Sequence, residues 1–184
     1  MRLFTAIDIA PEVKDALARL LDRLRPTARI RWSPADNFHV TTKFIGEWPA
    51  ERLEHLVAAL RELPDRQPIQ VAVSGLGWFP NTRSPRVFWA GVQAPPALAA
   101  LARETDQAVC RLGVPREARS FSPHLTLARI KERTELERLR NEIAALASDH
   151  FGEFFADRFR LYVSELGPSG STYTVLEEFV FARS

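Results

Sequence analysis

Apolar and polar residues alternate in seven short segments of the chain, a pattern typical of β-strands with one buried face. The first of these segments runs from Leu3 to Ile9, where apolar and β-branched residues predominate. Turn-forming residues, such as those at positions 33–37, precede several of the segments. The predicted strands span residues 3–9, 38–45, 69–76, 86–93, 124–130, 158–165 and 172–181.

Four other segments carry apolar residues at helical spacing. The first predicted helix begins at Pro11, because proline suits the first turn, and ends before Pro26. Thr134 precedes Glu137 by three residues, the spacing of a capping box, which predicts that the last helix begins there. The remaining helices are predicted over residues 50–63 and 96–112, and the last over 134–147.

The two halves of the chain resemble each other. Ten of the 21 positions from Arg2 to Asp22 are identical to the residue 84 positions later. We therefore predict that residues 1–184 form one domain by internal duplication, with approximate repeats 2–77 and 86–166 and a C-terminal strand at 172–181. The predicted fold is α+β, with two pseudo-twofold-related lobes. Each lobe would be an antiparallel sheet with helices on its outer face, and the active-site cleft would lie between them.

The composition is ordinary for a soluble globular protein, with 46% hydrophobic and 26% charged residues. There is no signal-like N-terminus and no apolar run near the roughly 18–20 residues that span a bilayer. Cys110 is the only cysteine, so no internal disulfide can form. We expect a cytoplasmic monomer that does not associate with membranes.

The net charge of +2 is too small for a protein that coats nucleic acid generally. All but three of its basic residues are arginine. The planar guanidinium of arginine matches the oxygens of a phosphate. A local phosphate site is therefore compatible with the composition.

Two short sequences repeat one pattern of histidine, apolar residue and threonine. In a β-strand, side chains two positions apart point to the same face, so each sequence presents an imidazole beside a hydroxyl. With one residue of slippage, the alignment of the halves superimposes the two sequences. The alternative is that each histidine is a structural residue bonded within its own lobe. The other histidines, His55 and His150, are predicted at the surface. The repeated sequences are His39-Val40-Thr41 and His124-Leu125-Thr126.

Two facing histidines can divide acid–base work. A neutral imidazole accepts a proton from the attacking group while a protonated one supplies the departing oxygen. Hydroxyl donors can stabilise the charge that develops on phosphate oxygens. No carboxylate or cysteine lies at ligand spacing beside either histidine, so we expect no metal and no cofactor. The pattern favours metal-independent cleavage of a phosphodiester.

Longer sequences around both histidines extend this interpretation. The C-terminal residues 164–176 contribute a third matching segment. Together they closely resemble the RNA 2′,3′-cyclic phosphodiesterases, also called 2′-5′ RNA ligases, of the two-histidine phosphoesterase superfamily. The resemblance covers nearly the whole chain. It rests on Arg31-Trp32-Ser33-Pro34 with Asn37-Phe38-His39-Val40-Thr41-Thr42-Lys43-Phe44-Ile45-Gly46-Glu47, and on Phe121-Ser122-Pro123-His124-Leu125-Thr126-Leu127-Ala128-Arg129.

The resemblance implies hydrolysis of RNA 2′,3′-cyclic phosphate ends to 2′-phosphates, with reversible 2′-5′ ligation as a side activity. It implies that His39 protonates the departing 3′ oxygen and that His124 activates water. Thr41 and Thr126 would hold the phosphate. From the residues alone the two histidine roles stay open, because the halves are nearly symmetric.

Other residues are predicted near the site on weaker grounds. Arg129 has the wrong parity for the His124 face, yet it ends the strand and matches the family, so we expect it to bind phosphate. Lys43 shares the face of His39 by parity, so it would either border the cleft or lie at a solvated strand end. Thr42 replaces an apolar residue of the family pattern, so its buried hydroxyl needs a partner. The candidates for stacking on a base are Phe4, Phe121, Trp32 and Tyr173.

Two alternative functions stay open at this point. One is a non-catalytic module that binds RNA ends in the same cleft. The other is a phosphodiesterase for a small cyclic nucleotide. The expected partners are accordingly RNA 3′ ends with a 2′,3′-cyclic phosphate, tRNA fragments among them, or small nucleotides.

Overall fold

The computed structural model describes residues 1–182, which form nine strands and four α-helices. The helices are α1 (Pro11–Leu24), α2 (Leu53–Arg61), α3 (Pro96–Cys110) and α4 (Glu137–Ala144). The strands are β1 (Arg2–Asp8), β2 (Arg31–Trp32), β3 (His39–Glu47), β4 (Ile69–Phe79), β5 (Val87–Gln93), β6 (His124–Arg129), β7 (His150–Ala156), β8 (Arg158–Gly167) and β9 (Gly170–Val180).

The strands form two antiparallel sheets. The first sheet has the order β3-β1-β8-β9, and the second has the order β2-β6-β5-β4-β7. Helices α2 and α3 contact each other and the first sheet, whereas α1 lies against β7 of the second sheet and contacts α4. The predicted α+β fold with two lobes is therefore confirmed. The pseudo-twofold axis and the origin by duplication stay predictions.

Each sheet takes strands from both halves of the chain. Strand β4 belongs to the first half but lies in the second sheet, between β5 and β7. Strands β8 and β9 belong to the second half but lie in the first sheet. Strands that follow one another with a short connection commonly pair, as β4 and β5 do here. A lobe therefore does not correspond to one predicted repeat.

Three local features differ from the sequence predictions. The sequence pattern did not predict strand β2, because its two residues are too few to show alternation. Strand β7, at the edge of its sheet, was not predicted either. Gly152 and the exposed Phe155 interrupt its alternation of buried apolar and exposed polar residues. Helix α4 begins at Glu137, so the capping-box prediction is wrong. The hydroxyl of Thr134 instead donates to the carbonyl of Glu132 at 3.0 Å, which stabilises a local turn.

Helix α1 shows how helical spacing becomes a packed interface. Its apolar face is buried as predicted, through Val13, Leu17, Leu20, Leu21 and Leu24. Val13 lies so close to Gly152 of β7 that a Cβ atom added there would come within 2.9 Å of its Cγ2 atom. The glycine thus lets the helix approach the edge of the second sheet.

The described helices also bear on membrane association. Within residues 1–182, none is both long enough and apolar enough to cross a membrane.

Candidate active site

His39 begins β3 and has both ring nitrogens engaged. Its Nδ1 atom lies 2.7 Å from the carbonyl oxygen of Asn37, and its Nε2 atom lies 3.0 Å from the hydroxyl oxygen of Thr41. A carbonyl can only accept, so Nδ1 carries a hydrogen and donates it. In the neutral ring, Nε2 therefore accepts from the Thr41 hydroxyl. The lone pair that can take a proton is on the threonine side of the ring.

His124 begins β6, and its Nδ1 atom is held in the same way. Its Nδ1 atom lies 2.9 Å from the carbonyl oxygen of Ser122, again two residues earlier in the chain. The backbone thus fixes the same tautomer in both histidines and leaves each Nε2 available for proton transfer. The rings of His124 and Phe79 are nearly perpendicular, with centroids 5.0 Å apart.

A short crossover between the sheets brings the two histidine strands together. Strand β2 pairs with β6 in the second sheet, and residues 33–38 then lead the chain into β3 of the first sheet. The amide of Ser33, within this crossover, donates to the carbonyl of Leu127 in β6 at 2.8 Å. Strands β3 and β6 consequently contact each other although they belong to different sheets.

The pKa of His39 reflects this environment. Burial of the ring lowers the pKa most, the carbonyl of Asn37 raises it, and the electrostatic influence of Arg129 and of His124 lowers it further, to about 4. His39 is consequently neutral at neutral pH in this structure. The influence of Arg129 and His124 also means that residues of β6 lie within electrostatic range of His39.

A β-bulge changes the face to which β3 directs its later residues. The pairing with β1 passes from Thr41 opposite Ala6 to Lys43 opposite Thr5, which leaves Thr42 as an extra residue. Thr42 is buried, and its hydroxyl lies 2.7 Å from that of Thr5. The predicted buried partner for Thr42 is therefore present.

Lys43 points away from the histidine face as a result of the bulge. It is only 5% exposed. Its Nζ atom lies 2.7 Å from a carboxylate oxygen of Asp106 in α3 and 3.0 Å from the carbonyl oxygen of Pro115. The prediction that Lys43 borders the cleft is wrong, because it assumed strict alternation. Lys43 instead joins the first sheet to α3.

A matching bulge in β6 has the opposite consequence for Arg129. The extra residue is Leu127, and the residues opposite His124, Thr126 and Arg129 are alternate positions of β5. Arg129 therefore lies on the same face as His124 and Thr126, and its side chain is exposed. The parity mismatch expected from the sequence is removed. The role of Arg129 toward phosphate stays a prediction.

Phe44 is a site-facing residue that the parity argument missed. The bulge at Thr42 places it opposite Phe4 and on the face of His39. Its side chain is 60% exposed, unusually open for a phenylalanine. Phe44 follows His39 by five positions, as Arg129 follows His124. This shared offset is the sequence signal that could have identified it.

The predicted stacking residues differ in accessibility. Phe4 is 4% exposed and packs beneath His39, with ring centroids 4.8 Å apart. It also stacks on Tyr162 at 5.1 Å, so it has no free face for a base, and that prediction is wrong. Tyr173 is half-buried and meets the His39 ring edge-on at 5.2 Å. Phe121 and Trp32 are partly buried against the core.

Strand β9, which carries Tyr173, is hydrogen-bonded to the segment that precedes His39. The side-chain amide of Asn37 donates to the carbonyl of Ser171 in β9 at 2.8 Å. Asn37 thus bonds to His39 through its own carbonyl and to β9 through its side chain. These two hydrogen bonds fix the imidazole of His39 relative to Tyr173 of β9. Among residues 1–182, no group of three or more His, Cys, Asp or Glu side chains could hold a metal ion.

Comparisons with known proteins show the family to which the chain is similar. A family model described as LigT like Phosphoesterase matches the chain twice, at residues 7–89 and 91–173. The RNA 2′,3′-cyclic phosphodiesterase of Methanocaldococcus jannaschii is 34% identical over 179 residues, which are 97% of this chain and 100% of the relative.

Solved structures resemble the chain over its whole length. The crystal structure of TT0787 from Thermus thermophilus has a TM-score of 0.84 and 32% identity, with 98% of each chain covered. E. coli LigT complexed with 3′-AMP has a TM-score of 0.79 and 28% identity, with 99% of this chain and 98% of that chain covered. Other structures of E. coli LigT are complexes with NADP+ and ATP. Since the family model matches nearly all of the sequence, the chain belongs to the LigT-like phosphoesterase family.

Proposed function

We propose that this protein hydrolyses 2′,3′-cyclic phosphates at RNA 3′ ends to 2′-phosphates. The observation that carries the proposal is the matched pair of histidines. In each, Nδ1 donates to a backbone carbonyl, and Nε2 is the nitrogen available for proton transfer. Relatives named RNA 2′,3′-cyclic phosphodiesterase support this choice of substrate.

The chemical step needs one proton acceptor and one proton donor. The oxygen of a water molecule attacks phosphorus while Nε2 of His124 takes its proton. The bond from phosphorus to the 3′ oxygen breaks, and Nε2 of His39 gives that oxygen a proton. The products are a 2′-phosphomonoester and a 3′-hydroxyl. Solvent then returns a proton to His39 and removes one from His124.

The low pKa of His39 has to be reconciled with its role as proton donor. A phosphate anion placed beside the ring supplies an opposite charge and raises the pKa of His39 from about 4. Because Nδ1 already carries a hydrogen, the added proton must go to Nε2. Substrate binding thereby helps to load the proton onto the nitrogen that later gives it to the departing oxygen.

Protonation of His39 also releases Thr41. A protonated Nε2 cannot accept the hydrogen bond that it makes with the Thr41 hydroxyl. That hydroxyl then turns to a non-bridging phosphate oxygen, where charge develops in the transition state. Thr126 supplies a second hydroxyl, and Arg129 a guanidinium on the same face of β6. Together they stabilise the pentavalent phosphorus without a metal ion.

The same residues can carry out a related reaction. If a 5′-hydroxyl of a second RNA takes the place of water, the attack on phosphorus forms a 2′-5′ linkage. The proton transfers through His124 and His39 are unchanged. Reversible ligation is therefore a side activity of the proposed chemistry.

Product mapping tests the proposal. An oligoribonucleotide with a 2′,3′-cyclic phosphate end is incubated with EDTA-treated protein, and the new end is identified as 2′- or 3′-phosphate. We expect a 2′-phosphate. The His55→Ala variant serves as a control, since His55 is an exposed histidine of α2. A 3′-phosphate, or no turnover with the substrate bound, would contradict the proposal; the latter would favour the RNA-end binding module.

A small nucleotide is the second candidate substrate. The complexes of E. coli LigT with 3′-AMP, NADP+ and ATP support it, because these ligands are single nucleotides or dinucleotides. The two candidates are distinguished by kcat/KM for adenosine 2′,3′-cyclic phosphate and for the oligoribonucleotide. A higher value for the mononucleotide would favour the small substrate.

A further inference from the structure

Arg31 lies directly beside Arg129 on the histidine side of the second sheet. The two residues are Cα partners in the antiparallel pair of β2 and β6, so their side chains share one face. That face is the one that carries His124 and Thr126. Strand β2 is the edge of its sheet, and both arginine side chains are exposed.

The ion pairs among the described residues leave both of these guanidinium groups without an anionic partner. Within residues 1–182, no carboxylate forms an ion pair with Arg31 or Arg129. Some other arginines are paired with carboxylates, as Arg158 and Arg160 are with Glu178. Arg31 and Arg129 differ from the remaining unpaired arginines in lying opposite each other on the histidine face. Like charges directly opposite each other on a sheet are destabilising. An unneutralised arginine pair beside an active site is therefore a place where an anion can bind.

The position of Arg31 places this anion beyond the reacting phosphate. Along β6, Arg129 is two same-face steps from His124, about 13 Å between Cα atoms at ~3.3 Å per residue. Arg31 lies one strand further out, about 5 Å from Arg129. The long side chain of Arg129 can reach back toward the histidines, where its charge acts on His39. Arg31 is farther away and reaches a neighbouring group.

We propose that Arg31 binds the second phosphate of the substrate, the one on the 5′ side of the terminal nucleoside, next to Arg129. This inference rests on the proposed function and specifies its substrate class. The preferred substrates are cyclic phosphates that carry a 5′-phosphoryl group, rather than a bare nucleoside cyclic phosphate. The planar guanidinium can bind two phosphate oxygens at once. The group can be an internucleotide phosphodiester of RNA or the 5′-phosphate of a nucleotide.

Three substrates show whether Arg31 recognises an internucleotide phosphodiester or the 5′-phosphate of a nucleotide. They are adenosine 2′,3′-cyclic phosphate, the same compound with a 5′-phosphate, and the dinucleotide ApA with a 2′,3′-cyclic phosphate end. For each, kcat/KM is measured with the wild type, with Arg31→Gln and with the control Arg19→Gln, which removes an exposed arginine of α1. We expect the wild type to favour both substrates that have a second phosphate. Arg31→Gln should reduce this preference about tenfold, and Arg19→Gln should not.

Salt dependence provides a second readout. Each phosphate that a protein neutralises on a single-stranded nucleic acid adds about 0.7 to the steepness of log affinity plotted against log salt concentration. We expect Arg31→Gln to make this plot shallower for the dinucleotide by about 0.7. A merely structural role of Arg31 would leave the slope unchanged.

Binding measurements keep this inference separate from the proposed function. Calorimetry compares adenosine 2′-phosphate with and without a 5′-phosphate, and it needs no turnover. If the wild type hydrolyses none of the three substrates, the proposed function fails, but the 5′-phosphate should still improve binding in an Arg31-dependent manner. An unchanged 5′-phosphate preference in Arg31→Gln, in binding and in kcat/KM, would overturn the role of Arg31.

Discussion

The Nε2 atom of His39 lies 3.0 Å from the hydroxyl oxygen of Thr41, on the side of the ring opposite the Asn37 carbonyl. In the proposed mechanism, this contact links the protonation of His39 to phosphate binding by Thr41. While the ring is neutral, Thr41 donates to it; once the ring is protonated, Thr41 is free to donate to phosphate. In this mechanism, the His39-Val40-Thr41 sequence therefore couples proton transfer to phosphate binding.

Removal of the Thr41 hydroxyl tests that coupling. We expect Thr41→Val to lower kcat about 10²–10³-fold, the usual effect of losing one donor to a developing oxyanion. The shape of the side chain is retained, so stability should change little. Thr174→Val is the control, because Thr174 is an exposed threonine of β9. A kcat within about twofold of the wild type would contradict the role of Thr41.

Stability should depend on pH through His39. The pKa of His39 is lowered by burial from 6.5 to about 4, so the unfolded chain binds more protons than the folded protein between these values. The free energy of unfolding therefore rises with pH across this window, by up to about 3 kcal/mol at about 1.36 kcal/mol per pKa unit. Urea unfolding at pH 4.5, 5.5 and 7 should show this rise in the wild type and a smaller rise in His39→Asn. Equal slopes would contradict the lowered pKa.

Arg129 should affect both phosphate binding and the pKa of His39. Its positive charge lowers that pKa, so Arg129→Gln should raise it, as measured by NMR titration of the imidazole. The same variant should lose activity, because the phosphate loses a charged donor. Arg138→Gln, which removes an exposed arginine of α4, is the control. An unchanged His39 titration in Arg129→Gln would place Arg129 outside the site.

Lys43 should matter for folding rather than for catalysis. Lys43→Met leaves the Asp106 carboxylate without its buried cation, a loss of about 3–5 kcal/mol for typical buried pairs. The pKa of Asp106, which burial raises, is held below its usual value by the hydrogen bond from Lys43 and the others it accepts. Urea unfolding should show the loss, and Lys43→Met with Asp106→Leu should recover part of it. A variant of wild-type stability without activity would return Lys43 to the cleft.

The sequence pattern predicted the positions of helices and strands better than it predicted the sheet face on which the later residues of a strand lie. Apolar alternation and helical spacing located most strands and the buried side of α1. The assignments of Lys43 and Arg129 were both affected by one assumption, that every strand residue reverses face. A bulge adds one residue to a strand, so every later residue moves to the opposite face from the one that strict alternation predicts. The position of the bulge depends on the partner strand. Pairing between sheets, such as the crossover through Ser33, is likewise invisible to local patterns.

Burial was the other quantity that local patterns did not provide. Phe4 resembles any other aromatic residue in the sequence, yet its place between His39 and Tyr162 leaves it no exposed face. The low pKa of His39 was not predictable from the sequence either, because it depends on burial of the ring and on groups of β6. By contrast, the repeated sequence alone is enough to propose the two histidines as an acid–base pair.

The most direct test of the histidine pair is the single-turnover rate on an oligoribonucleotide with a 2′,3′-cyclic phosphate end, with EDTA present. The rate is measured for His39→Ala, His124→Ala, the double variant and the His55→Ala control. We predict that each single variant loses at least about 10³-fold and that the double variant loses little more, because the two groups act in one step. Full activity in either single variant would contradict the paired acid–base mechanism.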